Sequence, residues 1–204
     1  RDLGLFAVER VEVRGAEGLA LHRCPEFSGM EGTQTLNLRF HDVRVKPEDV
    51  LAHPHQFPAF LRRIKPGFVL GQCGIGFGVI EGSLKTIRES NATHAHVNVY
   101  LDDQGAELSA EAEALRNEVL ELAVQAQEGS ADILAVLKAR ARASELTLRA
   151  ANSAVLHAGA RGYLMRHPAQ RRLREAVFVA IVTPALKHLR KEIGDLERQR
   201  AEAA

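Results

Sequence analysis

The sequence has almost no excess of charge of either sign. Its 27 lysines and arginines stand against 26 aspartates and glutamates, leaving a net charge of +1. Binding of DNA or RNA needs a basic face, so no nucleic-acid partner is expected. Cysteine is scarce: Cys24 and Cys73 lie far apart with no CxxC spacing, which reads as two reduced thiols rather than a disulfide or a metal pair. No run of about 18 apolar residues exists to form a membrane-spanning helix, and no signal peptide is visible. Repeats of solenoid period are lacking, and the only low-complexity stretch is the polar tail 197–204. These absences lead us to expect a reduced, soluble, cytoplasmic protein with neither membrane nor nucleic acid as partner.

Apolar residues are plentiful, at 46% of 204 positions, enough to bury a sizeable core. Residues 1 to about 52 read as β. Leu5 to Val8 form an apolar run, Val11 and Val13 alternate with charged residues, and 35–40 alternate again, continuing through Val43 and Val45. Gly15, Gly18, Pro25, Gly29 and Gly32 mark turns. So few strands cannot close a sandwich or barrel, and a sheet cut in half exposes an edge. Because the chain starts at Arg1 already in a strand-like pattern, the rest of that sheet is expected upstream or on another chain.

From Pro66, which suits a helix first turn, the period becomes helical. A first helix is expected over 69–87, followed by a loop over 91–105. Leu108, Leu115, Val119, Leu122 and Ala126 share one face of a second helix, and Ile133, Leu137, Ser144, Leu148, Ala151 and Val155 one face of a third. The fourth runs over 170–181 and resumes from Pro184 to about 200, with Ile181 expected in the core. The fold class is therefore mainly α: a partial β-domain, 1–55, followed by an antiparallel four-helix bundle, 56–204.

Several motifs invite a chemical interpretation. Gly71-Gln-Cys-Gly74-Ile-Gly76-Phe-Gly78 contains GxGxG, but a dinucleotide fingerprint needs a preceding strand and a GxGxxG spacing. Inside a helix, Gly71, Gly74, Gly78 and Gly82 instead share a face and predict close approach of a neighbouring helix. The pairs His53/His55 and His94/His96 fall in expected loops with no third ligand at metal spacing, so no metal site is expected. His157 and His167 flank a Gly-rich turn, placed to meet a phosphate or to cap helices. Arg149, Arg161, Arg166, Arg171, Arg172 and Arg174 form a basic segment that suits either a phosphorylated ligand or a solvated face.

Two stretches carry a family resemblance. Gly29-Met-Glu-Gly-Thr-Gln-Thr-Leu-Asn-Leu-Arg-Phe-His-Asp-Val-Arg-Val45, ending Pro47-Glu-Asp-Val-Leu51, is similar to the acyl-CoA dehydrogenase pattern of a G-x-R-x-[ST] turn, a strand, F-x-D-V-x-V-P and E-N-V-L. Gly159-Ala-Arg-Gly162-Tyr163, then Pro168-Ala-Gln-Arg171-Arg-Leu-Arg174-Glu-Ala176, resembles the family's GG-x-G-Y and P-x-E-R-x-x-R-D-A. Gly71 and Gly74 match the A-G-x-x-G of its first bundle helix. The resemblance implies a middle β-domain present in part, a C-terminal bundle, a homo-oligomer (dimer or tetramer) held by that bundle, FAD at a subunit boundary and an acyl-CoA-like substrate.

Carried over residue by residue, the resemblance is uneven. The family's glutamate base falls at Thr183, in Thr183-Pro184-Ala185, where the pair reads as an N-cap and a first-turn proline. A threonine hydroxyl is no base at neutral pH, so no catalytic residue is assigned. The alternative base position of some relatives falls near Ile64. The arginine that meets the FAD diphosphate falls at Ser90 counted forward or Asp102 counted back, an insertion in that loop. The glycine pair becomes Gly159-Ala160, the preceding glutamine Leu156, and Glu31 stands where arginine is usual. Cofactor contacts are thus expected from Gly159, Ala160, Arg161 and Gly162. These departures point to a flavin oxidoreductase whose base is missing, a flavin monooxygenase-type relative, or a non-catalytic dehydrogenase-like partner subunit.

Overall fold

The computed structural model describes residues 7–8, 17–33 and 35–203. Most of the expected strand pattern of 5–13 lies outside them. Two compact units result, Arg1–Lys65 and Pro66–Ala204.

Among the described residues the first unit holds two small antiparallel ladders. Strand β1 (Ala7–Val8) pairs with β4 (Val50–Ala52). Strands β2 (Leu19–Arg23) and β3 (Leu36–Phe40) pair in register from Leu19 opposite Phe40 to Arg23 opposite Leu36. Gly18 closes that pair: its carbonyl accepts the His41 amide at 2.8 Å, and its φ is 82°. A Cβ there would lie 1.9 Å from the His41 oxygen, so only glycine fits. Val43 and Val45 do not prolong β3. Asp42 turns into the left-handed region at φ 51°, which an aspartate tolerates better than most residues, and the ladder stops.

Helices make up the rest: α1 (Phe57–Gly71), α2 (Cys73–Asn98), α3 (Gly105–Glu128), α4 (Ile133–Ala158), a 3-10 turn Gly159–Tyr163, α5 (Pro168–Ile181) and α6 (Leu186–Ala203). Together α2, α3, α4 and the α5–α6 pair form the expected antiparallel bundle. Helix α4 is its axis, packed against α2, α3, α5 and α6. Its sequence explains why: Ala139, Ala143, Ala150, Ala151 and Ala154 are all fully buried, and small side chains on several faces admit several neighbours at once. Asp132 caps its start by accepting the Leu134 amide at 3.1 Å. Helix α3 presents Leu108, Leu115, Val119 and Leu122 to the core, as their spacing predicts, and ends at Gly129 with φ 76°.

Five expectations are corrected. The first helix of the series begins at Phe57, with Pro58 in its first turn, and contains Pro66 instead of starting there. The expected loop over 91–105 is helical as far as Asn98, because Asn98 Nδ2 donates to Asn91 Oδ1 at 2.8 Å and to Ser90 Oγ at 3.0 Å. Two loop-forming residues thereby become a bridge along one helix face, and His94 and His96 lie on helix. Ile181 is 63% exposed: the buried stripe of α5 runs through Ala169, Ala176, Val179 and Ala180, and Ile181 sits about 100° further round. Leu148 is only half-buried. Helix α6 starts at Leu186, its first turn closed by the His188 and Leu189 amides on the Ala185 carbonyl, so Thr183 and Pro184 precede it as a bend.

The glycine face also differs. Cβ atoms on Gly71, Gly74 or Gly78 would meet nothing within 4 Å. Of the predicted face only Gly82 is closely approached, beneath the Arg172 side chain; Gly76, which lies off that face, is the other close approach on α2, where a Cβ would lie 2.7 Å from Thr147 Oγ1. One helical stretch, 57–98, is long and apolar enough by composition to cross a bilayer, at mean hydropathy 1.3 over its window. Of that window 56% is buried, as in a core helix.

Candidate functional site

The Gly-rich turn after α4 forms where the sequence places it. Gly159 has φ 60°, a conformation that disfavours a side chain, and open space lies beside it. Gly162 is buried for a packing reason: a Cβ there would lie 2.8 Å from both Ala158 Cβ and the Val155 carbonyl oxygen. Just before the turn, His157 is 3% exposed. Its Nδ1 lies 2.9 Å from the Ser153 carbonyl, an arrangement in which Nδ1–H donates, and Nε2 is left buried without a partner. Its own carbonyl accepts the Ser90 hydroxyl, joining α2 to the end of α4.

Between these elements lies a cavity of about 150 Å³, open to solvent. Thr86, Glu89, Ser90, Thr93 and His94 of α2 line one side, and Ala158, Arg161 and His167 the other. Its hydroxyls are largely committed elsewhere. Ser90 Oγ donates to the His157 carbonyl, Thr86 Oγ1 to the Gly82 carbonyl at 3.3 Å, and Thr93 Oγ1 lies 2.8 Å from His94 Nδ1. His167 Nδ1 accepts the Ala169 amide at 3.2 Å, capping α5, so the proton of the neutral ring sits on Nε2. Arg161 is exposed, and no ion pair holds its guanidinium among the described residues. The cavity thus offers one permanent cation, two imidazoles, His94 and His167, and one carboxylate, Glu89.

Of the predicted contacts, Arg161 lines this cavity, whereas Gly159, Ala160 and Gly162 do not; Ser90 lines it and Asp102 does not. The six arginines do not converge. Arg149 pairs with Asp103 at 2.9 Å and with Glu111, which raise its pKa, while Arg171 and Arg172 hold Glu175 at 2.6 and 3.1 Å. His53 and His55 stack with their centroids 6.1 Å apart. Among the described residues no three His, Cys, Asp or Glu gather as metal ligands.

The second region surrounds Thr183. Its carbonyl accepts Gln72 Nε2 at 2.7 Å, and Gln72 Oε1 in turn accepts Arg140 Nε at 3.3 Å. Arg140 is fully buried. Its Nη2 donates to the Val179 carbonyl at 2.7 Å, and its Nη1 donates to Ser144 Oγ. Burial lowers its pKa, and burial pushes the neighbouring Cys73 thiol up to about 11 despite the nearby guanidinium. Cys73 therefore stays a neutral thiol at pH 7 and is no counter-ion. Glu175, a carboxylate not far from Thr183 in sequence, is occupied by two arginines.

Sequence reasoning missed Thr86, Glu89, Thr93, Gln72 and Arg140. A signal existed for the last. Position 140 lies in the stripe defined by Leu137 and Ser144, where a charged residue is out of pattern.

Comparison with known proteins gives consistent findings. A family profile described as "Acyl-CoA dehydrogenase, C-terminal domain" matches residues 70–183. A short-chain-specific acyl-CoA dehydrogenase of Megasphaera elsdenii is 25% identical over 173 residues, covering 82% of this chain and 45% of that protein. The solved butyryl-CoA dehydrogenase of Megasphaera elsdenii superposes with a TM-score of 0.77 at 22% identity, covering 90% of this chain and 49% of the other. An acyl-CoA dehydrogenase of Geobacillus kaustophilus gives 0.77 at 19% identity, with 90% and 50% covered. The chain spans about half the length of the relatives it matches.

Proposed function

Because the chain belongs to the acyl-CoA dehydrogenase family, through that family's C-terminal domain, we propose that it is part of a flavin-dependent oxidoreductase acting on an acyl-CoA or related substrate. On this proposal residues 1–55 end a middle β-domain and 56–204 form the C-terminal bundle. FAD, when bound, supplies the hydride acceptor. The observation that carries the proposal is the cavity at the Gly-rich turn, because its groups suit a diphosphate. Arg161 offers a guanidinium fork, which matches phosphate oxygens, and His167 adds an Nε2–H donor. Gly159 leaves open space at the backbone, with Ala160 and Gly162 completing the turn. Glu89 opposes an anion, so the site is weaker than one with two cations.

Thr183 does not supply a base. Its hydroxyl cannot take an α-proton at neutral pH, and Glu175 is held in ion pairs. This chain by itself therefore does not desaturate an acyl-CoA. Two relatives of the proposal remain in view, a flavin monooxygenase-type protein, which needs no α-proton base, and a non-catalytic partner subunit. The second is favoured by one observation: the hydroxyl at position 90, where the resemblance places a flavin-binding arginine, is spent on the His157 carbonyl. Exposed Leu120, Val124, Tyr163, Leu164 and Met165 support assembly as a homo-oligomer, dimer or tetramer, through the bundle. We place the protein in the cytoplasm, with no membrane or nucleic-acid partner.

The test is anaerobic dye reduction with short, medium and long acyl-CoAs, by this chain alone and by the purified intact gene product. Flavin absorbance is expected in the intact product and little or no acyl-CoA turnover by this chain alone, whereas rapid turnover by the chain alone would show that a base is present after all. A colourless protein would favour the partner subunit.

A further inference from the structure

The α5–α6 connection is held by an unusual device. Helix α5 ends at Ile181, so the carbonyls of its last turn lack helical partners. One of them, Val179, receives Arg140 Nη2 at 2.7 Å; beyond the helix, the Thr183 carbonyl receives Gln72 Nε2 at 2.7 Å. The two ends of this clamp are themselves joined, Arg140 Nε donating to Gln72 Oε1 at 3.3 Å. Among the described residues no carboxylate pairs with Arg140, although the residue is fully buried. A buried charge without a counter-ion carries a desolvation penalty that an apolar side chain of similar volume would avoid. What an apolar residue would lack is direction: the guanidinium is a planar fork that reaches three acceptors at once, on α4, on α5 and at the α1–α2 junction. Partial negative charge at the end of α5 offsets some of the penalty.

The fork also fixes a neighbour. A glutamine amide can be turned either way, and its two ends differ in sign. With Arg140 donating to Oε1, the opposite orientation would aim Nε2–H at the guanidinium. Gln72 is therefore obliged to present Nε2 to Thr183. Ser144 completes the arrangement, because its hydroxyl donates to the Arg140 carbonyl at 3.1 Å and leaves a lone pair for Nη1.

We infer that Arg140, acting through Gln72, is the positioning residue of the turn 182–185 that carries Thr183. It rests on the proposed function only in counting this turn as part of the site. Amide hydrogen exchange on the full chain tests it, because the bonds that flank the turn report on it: the Val182 amide donates to the Phe178 carbonyl at the end of α5, and the His188 and Leu189 amides donate to the Ala185 carbonyl at the start of α6. In Arg140→Met the amides of 182–189 are expected to exchange at least about tenfold faster while those of α3 around Leu115–Leu122 stay within about twofold. Gln72→Met leaves Arg140 its bonds to Ser144 and Val179 and is expected to do the same. Gln72→Glu gives the bundle a buried ion pair with Arg140 but sets an oxygen against the Thr183 carbonyl. It is expected to keep α3 protected while still releasing the turn, a split that a merely structural role would not produce. An even rise in exchange across all helices, no change at 182–189 in Gln72→Glu, or failure of Gln72→Met to fold would overturn the inference. Exchange does not depend on flavin, so a colourless protein would defeat the proposed function and leave this relay standing.

Discussion

A single Cβ atom is a sensitive probe of helix packing, and three glycines of this chain answer it differently. At Gly162 it would press within 2.8 Å of the Val155 backbone oxygen, which cannot yield cheaply. Gly162→Ala is expected to lose about 1–3 kcal/mol in urea unfolding. At Gly82 the obstacle is the Arg172 side chain at 2.1 Å, a flexible group that can swing aside. At Gly74 nothing intervenes, and Gly74→Ala is expected to stabilise by about 0.5–1 kcal/mol through helix propensity alone. Urea midpoints that rank these three otherwise would refute the packing described. Leu122, 6% exposed in the main core, is expected to cost about 2–5 kcal/mol as alanine, whereas Ile181→Ala at an exposed position should change little. Residues of this kind differ in how legible they are. Leu115, Val119 and Leu122 announce themselves by spacing. Arg140 and Gln72 do not, because burial of a guanidinium depends on acceptors contributed by distant segments, and no local period encodes those.

At the level of elements, helix α4 is fixed at both ends by polar contacts whose chemistry differs. Its start is capped by Asp132, which also pairs with Arg200 of α6 at 3.2 Å through Oδ2. The hydrogen bond from Arg200 is the main reason the Asp132 carboxyl titrates below its usual range. A depressed folded value means that the contribution is present above the unfolded pKa of about 3.9 and is lost as pH falls through the folded value. Asp132→Asn keeps an N-cap acceptor but removes the charge. Its acid unfolding below about pH 4 is therefore expected to depend less steeply on pH than that of the parent, and an unchanged acid limb would show that the pair contributes nothing. The side chain is 45% exposed, so solvent screening keeps the difference small. Element boundaries were the least legible part of the sequence. The helical turn around Asn91 and Asn98 was hidden because two asparagines that favour loops alone satisfy one another when the helix continues. The Gly159–Tyr163 turn was legible, since glycine at φ 60° and a glycine with no room for a Cβ leave a mark in any sequence.

For the molecule as a whole, the bundle and the family follow from the sequence pattern, while the chemistry does not follow from either. The motifs around 159–176 name a scaffold. Whether that scaffold holds a flavin depends on a few side chains, and here the cation of the cavity is Arg161, with a serine at position 90. The exposed apolar residues of α3 and of the segment 163–165 predict an assembly larger than one copy. Light scattering at tens of micromolar should give the mass of a dimer or tetramer, and a monomer would contradict the oligomer proposed. The cofactor itself offers the most direct test of the central claim. The absorbance spectrum of the purified intact gene product, recorded beside that of Arg161→Ala, is expected to show a flavin band in the first and about tenfold weaker FAD retention in the second, with equal thermal stability in cofactor-free samples. A colourless parent protein that takes up no FAD on titration would contradict it.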